Sequence, residues 1–98
     1  MMRPIEAVVR EAEREAMEAL AMREAAREAA RARAEEARRV KAVLEAQGYE
    51  VLVGYVQSGK RYEAFAFSQG HTVGFGWGQD EMEALRALAG DLGVPLEG

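Results

Sequence analysis

A chain of 98 residues with a formal net charge of −4 holds one domain at most, spanning 1–98, and its acidity argues against a nucleic-acid binder driven by bulk electrostatics. Cysteine is absent, which excludes disulfides and thiolate metal sites, and the single histidine, His71, excludes a site built from several imidazoles. No apolar run approaches the roughly 20 residues that span a bilayer, and the alternating Arg and Glu of residues 1–20 are unlike a signal peptide, so a cytoplasmic protein away from membranes is expected.

The charges are unevenly placed. From Arg3 to Gln47 ten basic residues meet ten acidic ones; from Gly48 onward three basic residues (Lys60, Arg61, Arg86) face seven acidic ones. The second half is the acidic half. Arginine outnumbers lysine and asparagine is absent, a bias that fits a GC-rich genome and a hot habitat.

Pro4 suits the first turn of a helix, where a missing N–H costs nothing. From there to Gln47 the chain has no Gly and no other Pro, and is dominated by Ala, Glu, Arg, Leu and Met, the strongest helix formers. Residues 3–47 are therefore predicted as one helix of about 44 residues, some 65 Å long at 1.5 Å per residue. Glu24 and Arg27, Glu28 and Arg31, and Glu35 and Arg38 stand three apart on its surface, and Gly48 ends it. A domain of this size is only some 30–35 Å across, so the helix must project or be covered by something else.

The apolar pattern names a cover. Val8, Ala12, Glu15, Ala19, Met22, Ala26, Ala29, Arg33, Glu36, Val40 and Val43 alternate four and three apart, a coiled-coil-like seam interrupted at Glu15, Arg33 and Glu36. Val8, Ala12, Ala19, Met22, Ala26 and Ala29 are the candidate interface of a homo-oligomer, a dimer first of all. Ile5, Val9, Ala16 and Leu20 widen the stripe in the first half.

From Tyr49 the period changes to two. Tyr49–Val56 is predicted as a strand rich in β-branched and aromatic residues. A turn at Gln57–Lys60 leads to a second strand, Arg61–Phe67. Gln69-Gly70 turns the chain into a third, Thr72–Trp77. Asp80, with Glu83 three residues on, caps a last helix whose apolar side is Met82, Leu85, Leu88, Ala89 and Leu92. Gly93 and Pro95 end it. The expected fold is α+β in the order α-β-β-β-α, with residues 49–92 as its β-β-β-α unit and residues 93–98 as a tail. Both sheet faces carry aromatic residues. Phe65 and Phe67 on the second strand, and Phe75 and Trp77 on the third, are candidate contacts for a partner on the uncovered face.

The run Gly74-Phe-Gly-Trp-Gly-Gln-Asp-Glu-Met-Glu-Ala-Leu-Arg-Ala-Leu-Ala89 resembles the end of a double-stranded RNA-binding domain. That family has the same element order, alternating glycines leaving its third strand, a capping residue and an Ala-rich packing face. Gly74, Gly76, Gly78, Asp80, Ala84, Ala87 and Ala89 stand at the matching positions, and the resemblance covers Tyr49 to Leu92. The family opens its last helix with phosphate-gripping lysines. Glu81, Met82 and Leu85 stand there instead, so the resemblance implies the fold without the RNA grip. The unit is also similar to the antitoxin half of HicA/HicB-type pairs, which would imply a protein toxin as partner.

Chemistry has few candidates. His71 has no Asp, Ser or Cys beside it in sequence. Gly74–Gly78 lacks the Gly-Lys-Ser/Thr ending of a phosphate loop and precedes two carboxylates, so it is expected to be a strand end that another backbone approaches closely. No catalytic residue, cofactor or metal is expected. Arg23, Arg27, Arg31, Arg38 and Lys41 form a basic stripe on the long helix, with Lys60 and Arg61 on the first hairpin. These are the candidate nucleic-acid contacts, opposed by Glu24, Glu28 and Glu35 within a Debye length of about 8 Å. The expectation is a non-enzymatic homo-oligomeric protein-interaction module. The alternative is a nucleic-acid-binding accessory or regulatory protein, antitoxin-like in one form, whose binding is weak.

Overall fold

A computed structural model describes residues 4–96. Helix α1 is Pro4–Ala46, strands β1, β2 and β3 are Glu50–Val56, Arg61–Ser68 and His71–Gly78, and helix α2 is Glu81–Leu92. This is the expected α+β order. The chain divides into two compact units, Met1–Ala32 and Arg33–Gly98.

The described part of the first unit is α1 alone, and every residue from Pro4 to Ala32 is exposed. With no core, it is helical through propensity and length: 29 helix-forming residues exceed the roughly 12–15 below which an isolated helix is marginal. Of the i,i+3 charge partners along α1, the pair that closes among the described residues is Glu36–Arg39, at 2.7 Å, in the second unit.

In the second unit a three-stranded antiparallel meander, in the order β1-β2-β3, carries its helices on one face. The core joins Ala37, Val40 and Leu44 of α1, Val51, Ala64 and Ala66 of the sheet, and Ala84, Leu85, Leu88 and Ala89 of α2. Val40, one of the seam positions, is thus occupied by the chain's own core.

The strand boundaries follow from local hydrogen bonds. β1 begins at Glu50 rather than Tyr49 because the Tyr49 N–H still donates to Leu44 O, at 3.4 Å, closing the end of α1. Gly48, at φ +100°, turns the chain there. α2 ends in the same way, with Val94 N–H on Ala89 O at 2.9 Å and Gly93 at φ +70°. Both are the 6→1 closure that glycine permits after a helix. β3 extends beyond the predicted Thr72–Trp77 because His71 pairs with Ser68 and Gly78 with Tyr62. The hairpin between β2 and β3 turns on Gln69 and Gly70, both at positive φ, the geometry that follows strand twist.

The glycines of β3 are where a backbone comes close. A Cβ on Gly76 would lie 2.2 Å from Leu88 N, and one on Gly78 would lie 2.8 Å from Ala84 N. α2 therefore lies nearly backbone to backbone on β3, over the Ala64 and Ala66 methyls of β2.

Candidate interaction face

With the helices on one side, the pleat sends alternate side chains to the other. Pairing across the three strands arranges them in rows: Leu52 beside Phe65 and Phe75, then Gly54 beside Glu63 and Trp77. The Phe65 and Phe75 rings lie 5.1 Å apart and the Phe65 and Phe67 rings 6.4 Å apart, within the range of favourable aromatic pairs. Arg61 sits 4.7 Å from the centre of the Trp77 ring and is held there by Glu63, 2.9 Å away. Leu52 is 62% exposed and Trp77 50%, with Val73 and Phe75 also exposed. This face is largely apolar, with the Arg61–Glu63 pair at one end and the exposed Glu50 at the other.

On the other side of the sheet, two ion pairs tie α1 to α2. Arg33 Nε donates to Asp80 Oδ2 at 2.7 Å, and Arg86 meets Glu36 at 3.1 Å. The same Asp80 caps α2 by accepting from Glu83 N–H at 2.8 Å, while Glu83 reaches back to Gln79 N–H. Partial burial pushes the Asp80 carboxyl up, but hydrogen bonds from Glu83 N–H and Arg33 outweigh it and hold it below the ordinary aspartate value. Hydrogen bonds from Arg86 and then Arg39 hold Glu36 below the ordinary glutamate value.

The four aromatic candidates Phe65, Phe67, Phe75 and Trp77 come together on the open face. Val8, Ala12, Ala19, Met22, Ala26 and Ala29 all lie exposed in the first unit, as do Arg23, Arg27 and Arg31. Arg38 is exposed and Lys41 half-buried in the second unit. Lys60 is exposed at a positive-φ turn position, and its neighbour Arg61 is committed to Glu63 and Trp77.

Sequence reasoning missed two things. Leu52 belongs to the aromatic face, and its alternation with Val51 and Val53 was the available signal. Arg33 and Glu36, which broke the apolar seam, are the α2 contacts. Charges breaking the seam beside the apolar Ala37 and Val40 were the signal there. Among the described residues no three His, Cys, Asp or Glu side chains gather to hold a metal, and no helix is long and apolar enough to cross a membrane. No protein-family model, curated protein or solved structure matches the chain.

Proposed function

We propose that this chain is a cytoplasmic, non-enzymatic interaction module that binds protein, and first of all a second copy of itself. The observation that carries the proposal is the uncovered apolar stripe of α1. Ile5, Val8, Val9, Leu20 and Met22 are between 48% and 73% exposed. Within proteins, helices draw most of their stability from packing an apolar face, beyond what propensity and length supply. The open aromatic face of the sheet adds a second surface of the same character. The α-β-β-β-α order supports kinship in plan with double-stranded RNA-binding domains. Glu81 and Met82 at the start of α2, and an Arg61 already paired with Glu63, favour a protein partner over RNA.

Sedimentation of the whole chain tests the proposal. At tens of micromolar the wild type is expected to run as a dimer. Ala19→Glu with Ala26→Glu, which puts charges where the helices approach and must be desolvated, is expected to dissociate it. Added duplex RNA in physiological salt is expected to leave the sedimentation unchanged. A monomeric wild type overturns self-association, and tight RNA binding moves the function to nucleic acid.

A further inference from the structure

The two outer strands of the sheet end in different ways. On β3 the edge is blunted: the Phe75 N–H donates to Asp91 Oδ2 of α2 at 3.0 Å, and the pairing register slips past Val73. Both are devices that keep an edge from recruiting another strand. β1 has neither. Its seven residues, Glu-Val-Leu-Val-Gly-Tyr-Val, pair with β2 in unbroken register and contain no Pro or Lys. Among the described residues, no hydrogen bond reaches the N–H and C=O groups on its outer side. An unpaired, mostly apolar edge of this kind is a template for strand addition.

Resting on the self-association reading above, we infer that β1 pairs antiparallel with β1 of a second copy, joining the two sheets into one of six strands. Charge sets the direction. Glu50 is the only ionised residue of the strand. Parallel pairing would bring the two copies of it together, whereas antiparallel pairing holds them about 20 Å apart, at opposite ends.

Shape sets the register. Centring the pair on Val53 overlaps all seven residues and places Leu52 opposite Gly54 of the other copy. Leu52 stands out from the open face, while a Cβ on Gly54 would meet nothing within 4 Å. Gly54, Val56, Glu63 and Phe65 help to line the hollow there, beside that copy's own Leu52, so each leucine has a seat on the opposite copy. On the helix-side face the same register sets the exposed Tyr55 beside Val51 of the other copy. The aromatic faces of the two copies then run on as one surface.

Charge swapping at Leu52 tests the pairing. In this register the two copies of residue 52 are diagonal neighbours about 7–8 Å apart. Leu52→Lys alone and Leu52→Glu alone are each expected to weaken dimerisation at least about tenfold, because a buried leucine is lost and like charges approach. A mixture of the two is expected to recover a heterodimer in native mass spectra. In the wild type, alternate β1 amides are expected to gain protection from hydrogen exchange as concentration rises.

Leu52 is exposed, so its variants are expected to keep the parent melting profile at dilution. If the single variants dimerise as well as the wild type, or the mixture no better than either alone, edge pairing is overturned. Loss of the dimer with Ala19→Glu and Ala26→Glu but not with Leu52→Lys overturns the edge while leaving self-association standing. A wild type that stays monomeric overturns both.

Discussion

The two faces of the sheet are built on opposite principles. Beneath α2 the covered face is made of the smallest side chains, Ala64, Ala66, Gly74, Gly76 and Gly78, all fully or nearly fully buried, with the larger Val51, Val53 and Tyr62 beside them. The open face has the largest, Phe65, Phe67, Phe75 and Trp77, with Leu52 beside them. Most small domains do the reverse and bury their aromatics, since these carry the greatest area. Here burial is achieved through closeness. Absent side chains let α2 rest its backbone on β3, and Leu85 and Leu88 then seal the layer from above. Bulk placed on the opposite face contributes little to this core. It constitutes a surface whose value lies in what comes to cover it.

A single added methyl on the covered face is expected to have the largest effect. Gly76→Ala would place a carbon 2.2 Å from Leu88 N and 2.6 Å from Ala84 O, both backbone atoms that no rotamer change can move. Forcing α2 away from β3 is expected to cost about 3 kcal/mol or more, read as a lower melting temperature and denaturation midpoint. Gly54→Ala is the control from the open face, where the methyl meets nothing within 4 Å. At dilution it is expected to stay within about 0.5 kcal/mol of the parent. Equal effects at the two positions would mean that α2 does not lie on the glycines.

Much of this was legible from the sequence, for reasons tied to particular residues. Gly48 and Gly93 mark helix ends because left-handed backbone there nearly requires glycine, and Asp80 with Glu83 marks a helix start because few residue pairs satisfy its free N–H groups. The glycine ladder of β3 announced a close backbone approach without naming the partner. Periodicity also sorted the strand faces, putting Phe75 and Trp77 opposite Gly74 and Gly76. It could not say which face is covered, because apolar residues alternate on both. The apolar seam of α1 was harder still. The same three-and-four spacing runs through Val8 and Ala12, which are exposed, and through Val40, which is buried. Spacing defines a stripe, while burial depends on whether another element lies against it. Side-chain hydrogen bonds such as Asp91 to Phe75 left no signal at all, since they join residues 16 apart through geometry that only the folded chain creates.

A smaller effect is expected at the cap that positions α2 on the covered face. Asp80→Ala removes the acceptor for Glu83 N–H and the partner of Arg33 together. The cap contributes about 1 kcal/mol, and the half-exposed ion pair adds less than that after solvent screening. The loss also carries a pH signature. Because the folded chain holds the Asp80 carboxyl below its ordinary range, its contribution is present above about pH 4 and is lost as acid protonates the folded form. The melting temperatures of parent and variant are therefore expected to differ near neutral pH and to converge in acid. A gap that persists unchanged in acid would mean that the ionised carboxylate is not what holds the helix start.

A small change in the stability of a single chain is also expected where the side chains are largest. Phe75→Thr with Trp77→Thr removes two aromatic rings from the open face and puts in their place β-branched residues that suit a strand. What the lone chain loses is the Phe65–Phe75 pairing and the Arg61–Trp77 contact, each in reach of solvent. An exposed cation–π contact contributes about 0.5–1 kcal/mol and an aromatic pair a similar amount, so the stability at high dilution is expected to fall by about 1–2 kcal/mol. The effect is expected to appear instead in association. If this face is covered when copies meet, the double variant should need higher concentrations to assemble, and its binding of a hydrophobic dye at dilution should drop. A large loss of stability at dilution would show that these rings belong to the core of one chain. The contrast between the two faces would then be one of shape alone.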